Sequence, residues 1–250
     1  MSFGIETMQQ KFTQRIQTNL SQLTLNKFGR NLLYPNSEDI CARRDYVLHR
    51  LGASCQQLSI LKQLSTSYSN QYLSISDTGQ RLDLTLNSIH QLTYCFDNLI
   101  FNLASMSDYF GNYMGIIVYG PKRQSIKWSG FVNTTYNKYS DSSFGQVVKE
   151  QHNTWFDRLH NYRGDVIHRK AILVEVEGYK NTKLFPTPVD SLHFVINDSL
   201  NKYFHLIRKS ENRDLCHCAE ALFKRTLDGF SEILSESENL EFDKKHQKII

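Results

Sequence analysis

From Leu82 to Met114 the chain carries one long helical repeat, in which Leu86, Ile89, Leu92, Phe96, Leu99, Leu103, Met106 and Phe110 recur at steps of three and four. A period near 3.6 sustained over such a length puts these side chains on one face of a helix, which an alternating strand cannot do. Ile100 and Phe101 lie outside that stripe. The helix is therefore expected to be covered on more than one side and to be the central element of the fold.

The flanking segments read as more helices. Ile5, Met8, Phe12, Ile16, Leu20 and Leu23 predict an amphipathic helix at the N-terminal end, broken at "NLLYPNSED". There Pro35 cannot continue a helix and Ser37 suits an N-cap. A second helix is expected from about Glu38 to Ser67, carrying Val47, Leu51, Leu58 and Leu61, with "STSYSNQYLSISDTGQ" as a connection. A fourth runs from about Phe144 to Arg169 with Trp155, Phe156, Leu159 and Tyr162, and a last one from about Asp214 to Ser235. "AILVEVEG" (Ala171 to Gly178) and "SLHFVIND" (Ser191 to Asp198) are rich in Val and Ile between turn formers, so they read as strands paired in a hairpin across "YKNTKLFPTPVD". The expected fold is mainly α: an antiparallel helical bundle in a single domain over 1–250. Its core lies at about 82–170, with a small late β-hairpin over 171–198 and a polar tail over 236–250.

Composition narrows the classes of function. Hydrophobic residues at 40% and charged residues at 22% exclude wholesale disorder, and a formal charge of +4 permits contact with a polyanion without requiring it. Cys41, Cys55, Cys95, Cys216 and Cys218 are an odd number without a repeated spacing. No basic start followed by an apolar core is visible, and no apolar run approaches the ~18 residues of a membrane span. Reduced thiols, a cytoplasmic location and no membrane partner are the expectation. "CHC" at Cys216–Cys218 does not make a metal site, because residues two apart on a helix point about 200° from each other. Glycine-rich phosphate loops, zinc-protease signatures and a serine nucleophile elbow are missing, so no cofactor or metal is expected.

The connection from Val118 to Ser143 is long for a helical bundle. It interleaves Lys122, Arg123, Lys127 and Lys138 with Trp128, Phe131, Tyr136 and Tyr139. Aromatics stack on unpaired bases while Lys and Arg take the phosphates, so this stretch is a candidate surface for single-stranded RNA. The alternative is that the aromatics pin a long loop to the bundle and the lysines keep it solvated.

"NYRGDVIHRK" (Asn161 to Lys170) closes the fourth helix with Arg163 and His168 five positions apart. In a continuous helix the two differ by roughly 140° in azimuth and about 7.5 Å in height. Without a metal, an arginine and a histidine can promote cleavage of RNA through its own 2′-hydroxyl. Imidazoles move the protons at the attacking and leaving oxygens, and a guanidinium fork stabilises the phosphate as its charge grows. The second imidazole has to come from a second copy of the chain across a symmetric dimer, or from His160 in the preceding turn. Asp165, three residues before His168, is placed to orient it. The competing account is a solvated helix end whose positive side chains meet the negative pole of the helix dipole.

"YRGDVIHR", with an aromatic before the arginine, apolar residues before the histidine and a basic residue after it, resembles the arginine–histidine signature of the HEPN superfamily. "LTYCFDNLIFNLASMSDYF" is similar to the long helix that precedes the signature there, so the likeness spans about Leu82 to Lys170. The resemblance implies a bundle that forms a homodimer and acts as a metal-independent endoribonuclease of the toxin, bacterial-defence or RNA-processing kind. Arg163 would lie on the scissile phosphate, His168 would handle the proton, and an antitoxin or other protein would be the regulatory partner. The family commonly has Asn or Asp directly after the arginine. This chain has Gly164 there and Asp165 one step later, which leaves open a second reading as a non-catalytic module that binds a nucleotide, a nucleic acid or a protein.

Overall fold

A computed structural model of the chain describes residues 3–28, 37–120, 126–168, 174–177, 190–205, 212–238 and 240. The fold is mainly α with one small antiparallel sheet. In chain order the elements are α1 (Phe3–Phe28), α2 (Ser37–Ser74), α3 (Thr78–Tyr119), α4 (Trp128–Tyr139), α5 (Ser143–Gln151), a π-helical turn (His152–Phe156) and α6 (Asp157–His168). Strands β1 (Glu175–Val176) and β2 (Phe194–Val195) follow, then α7 (Asp198–Phe204) and α8 (Leu215–Glu238). The residues fall into two compact units. One comprises Met1–Ala53, Asn102–Asp157 and Arg225–Ile250, the other Ser54–Phe101 and Arg158–Lys224, so that α2, α3 and α8 contribute to both and α6 lies in the second from its second residue on.

In the first unit Ile16, Leu20 and Leu23 of α1 are buried, while the side chains of Ile5, Met8 and Phe12 lie outside the described residues. Tyr113 of α3 donates its hydroxyl to Leu20 O at 2.9 Å. Helices α2 and α3 run antiparallel there. Arg43 bonds Asn112, Tyr46 packs on Tyr109 and Arg50 donates to Asn102, the partners falling as the donors rise. Gly120, with φ of 93°, ends α3 in the left-handed region that a side chain disfavours, and its N–H bonds Ile116 O at 2.8 Å.

In the second unit Lys62 of α2 pairs with Glu220 of α8. Glu175 and Val176 pair with Val195 and Phe194, and Glu177 N–H bonds His193 O at 2.8 Å. The two expected strands are thus antiparallel partners, but the paired stretch is two residues on each side. The "YKNTKLFPTPVD" connection lies, apart from Asp190, outside the described residues.

Five expectations are corrected. The apolar stripe of α3 does not start at Leu86, which is 48% exposed; the buried row continues from Leu92 back through Ser88 and Thr85. Their hydroxyls bond Thr85 O and Arg81 O, so short polar residues hold core positions at no cost in unmet hydrogen bonds. Helix α2 runs past Ser67 to Ser74 because Tyr72 is buried and Ser69 bonds back to Ser65 O. The Val118–Ser143 connection holds a helix, α4, whose Trp128, Phe131, Val132 and Thr135 make a buried stripe at helical spacing. Asp198 opens α7 instead of closing a strand, with Asn197 accepting from Leu200 N–H as its cap. The start of the 236–250 stretch is also helical, since α8 continues to Glu238 and Ser237 is buried; most of the remainder lies outside the described residues.

Candidate active site

The expected fourth helix is two α-helices joined by the π turn. Ser142 caps α5 by accepting from Gly145 N–H. The N–H of Asp157 reaches back five residues to His152 O, which gives the turn its wider winding and lets consecutive Trp155 and Phe156 both bury. From Asp157 the α-helix resumes without interruption to His168.

Along α6, Leu159 and Tyr162 are buried, Asn161 and Ile167 are exposed, and His160, Arg163, Gly164 and Asp165 are intermediate. Arg163 Nη2 lies 3.3 Å from His160 Nδ1. The two residues are three apart and so share a face. The backbone of His168 closes the helix, and its side chain lies outside the described residues. Gly164 lies inside the unbroken α6, and among the described residues a Cβ built there meets nothing within 4 Å.

Asp165 accepts a hydrogen bond from the Tyr203 hydroxyl of α7. Beneath it Tyr162 donates its hydroxyl to Asp97 Oδ1 at 2.7 Å, and the Tyr162 and Tyr203 rings meet edge to face at 5.3 Å. Two tyrosine–aspartate pairs thus fix the inner side of α6 in the second unit. Tyr162, expected with Trp155, Phe156 and Leu159 in the fourth helix, is buried as they are, whereas Asp97 and Tyr203 carried no expectation from the sequence. The available signal was an acid in the second buried row of α3, with Thr93, Ile100 and Ala104, since a buried carboxylate demands a donor.

Burial pushes the Asp97 carboxyl from 3.8 up to about 6, opposed by the hydrogen bond from Tyr162, and burial also raises the Tyr162 phenol. The folded state therefore binds the Asp97 proton more tightly than the unfolded chain. That stabilisation is fully present below pH ~4 and is lost as pH rises through ~6. Relative to an Asp97→Asn variant, the wild type is expected to lose about 1–3 kcal/mol between pH 4 and 7. Urea unfolding of both proteins across that range checks it, and parallel stability curves would refute it.

The candidate RNA-contacting residues separate. Lys122 and Arg123 lie outside the described residues. Lys127 is exposed and borders a cavity of about 240 Å³ with Ser105, Asp108, Tyr109, Asn112 and Ile126. Trp128 is corrected: it is 0% exposed, its ring 4.5 Å from Phe156 and its Nε1 donating to His152 Nδ1 at 3.2 Å, so it has no face to offer a base. Burial lowers the pKa of His152, which keeps that acceptor uncharged. Tyr136 remains 44% exposed with Lys149 Nζ 4.0 Å from its ring centre.

Among the described residues no group of His, Cys, Asp and Glu is arranged to hold a metal ion, and no helix is long and apolar enough to cross a membrane. Burial raises the Cys216 thiol to about 11 and the Cys218 thiol to about 12, as for inert packing residues. Set against protein-family models, curated proteins and solved structures, the chain matches none.

Proposed function

We propose that this protein is a metal-independent endoribonuclease of the HEPN kind, cutting RNA by attack of the 2′-hydroxyl on the adjacent phosphate. The observation that carries the reading is the Arg163–His160 contact at 3.3 Å, on the helix that His168 closes five residues later. It sets a permanent cation and a proton-transfer group side by side at partly open positions. The guanidinium suits the growing negative charge of a phosphate in the transition state, and imidazoles suit the transfer of its protons near neutral pH. Two such proton-transfer groups are needed. In the HEPN pattern a second copy of the chain supplies one across a homodimer cleft; a second histidine of the same chain is the other source. Exposed Lys127 is a candidate contact for the single-stranded substrate.

One observation favours the second reading, a non-catalytic binding module: Asp165 is engaged by Tyr203, so part of the motif serves the packing of α6 against α7. Incubation of wild type and His168→Ala with mixed RNA in excess chelator separates the two. The endoribonuclease reading expects 2′,3′-cyclic phosphate ends from the wild type and a fall of about 10²–10⁴-fold in the variant. No products from either support the module, and equal products from both count against His168 as a catalytic residue.

A further inference from the structure

The contact between Arg163 and His160 also assigns a chemical state. A guanidinium donates hydrogen bonds and has no acceptor, so His160 Nδ1 must present its lone pair, with the hydrogen of the neutral ring on Nε2. An imidazole held in that state is ready to take a proton at Nδ1 and has none there to give. We propose that His160 is the general base for the 2′-hydroxyl, Arg163 moving from its Nδ1 to a phosphate oxygen when RNA binds, while His168 is the general acid at the 5′-oxygen. This assignment rests on the endoribonuclease reading and completes the acid–base pair within one chain.

The step balances without a co-reactant. The 2′-oxygen bonds to phosphorus as its proton passes to His160 Nδ1. The bond from phosphorus to the 5′-oxygen breaks as that oxygen takes a proton from His168. The products are a 2′,3′-cyclic phosphate and a 5′-hydroxyl. His160 ends protonated and His168 neutral, and exchange with solvent resets both.

The placement of Gly164 agrees with this division of labour. In the continuous helix His160, Gly164 and His168 follow at four-residue steps, each ~40° from the last, with about 12 Å between the first and third. Glycine inside a helix costs up to ~1 kcal/mol relative to alanine. Here no backbone need offsets that cost, because Gly164 is not among the positive-φ residues and, among the described residues, a Cβ would touch nothing within 4 Å. What its missing side chain does is leave the row bare between the two histidine positions, where a phosphate reached from both ends has to lie. Arg163, ~60° around the axis from His160, borders that row. Gly52 of α2 is equally unobstructed and provides the control.

The test is the pH–rate profile for cleavage of a defined RNA oligonucleotide in excess chelator, with thermal melts of every variant. The wild type should give a bell. His160→Gln should fall by about 10²–10⁴-fold and lose the limb that rises from low pH, whereas His168→Ala should lose the limb that falls at high pH. Gly164→Leu should cut the rate by at least ~10-fold without lowering the melting temperature, and Gly52→Leu should leave the rate unchanged. A His160→Gln enzyme that keeps both limbs, at whatever rate, overturns the assignment and leaves the endoribonuclease reading standing. A wild type without cleavage overturns both.

Discussion

Trp128→Ala is expected to destabilise the protein by about 3–5 kcal/mol, the largest loss from any substitution considered in the first unit. The side chain is fully buried in an aromatic cluster with Phe131 at 5.8 Å, Phe156 at 4.5 Å and Phe110 at 6.5 Å between ring centres. Phe110 and Phe156 in turn stack on Phe230 of α8 at 4.2 and 5.1 Å. Removal of the indole opens a cavity between α3, α4 and the π turn, which cannot all collapse into it. Trp128→Phe keeps most of the apolar contact but takes the N–H from His152 Nδ1, and should cost about 1–3 kcal/mol. Urea denaturation followed by far-ultraviolet circular dichroism measures both. A cost below ~1 kcal/mol for the alanine variant would mean that Trp128 is solvent-facing and would restore it as a base-stacking residue.

The second large effect falls on activity. Arg163→Ala is expected to lower kcat/KM for RNA cleavage by about 10²–10³-fold, and Arg163→Lys to recover little of it. Lysine keeps the charge but replaces a planar fork with a single strongly hydrated ammonium, which cannot offer two parallel donors to the phosphate oxygens. Arg163 is half-buried on α6, so the accompanying stability change should stay within about 1 kcal/mol. Steady-state kinetics beside thermal melts decide between the two roles. Full activity in the lysine variant would make Arg163 a general surface cation, and a collapse in stability would make it a structural residue.

How legible the fold was depended on what kind of side chain fills the core. Where the buried row is apolar, as from Leu92 to Phe110 in α3 or from Leu215 to Leu234 in α8, spacing alone locates the helix and its inner face. Where the row is continued by Thr85 and Ser88, or by Thr135 in α4, the period is intact but carried by residues that a hydropathy reading discards. Helix α4 stayed hidden for that reason. Its mixture of lysines and aromatics matches both a nucleic-acid surface and an amphipathic helix, and only burial separates them. The π turn could not be read from spacing, because one extra residue per turn shifts the phase without leaving a compositional mark.

In the site, Arg163 and His160 were legible because both lie on one helix face at three-residue spacing. Asp97 and Tyr203 were not, being 65 residues before Tyr162 and 38 after Asp165 in the chain. Asp165 shows the limit of local geometry most plainly. Tyr203 of α7 donates to it from 38 residues further along the chain, a partner that three-residue spacing has no means of revealing.

Attack by the 2′-oxygen is the claim on which the account of Arg163, His160 and His168 depends. It is tested most directly with two oligonucleotides of one sequence, all ribose or 2′-deoxy at every position, incubated with the wild-type protein in excess chelator. The account predicts cleavage of the ribose strand to 2′,3′-cyclic phosphate ends and none of the deoxy strand. Equal cleavage of both strands, or an intact ribose strand, would contradict it.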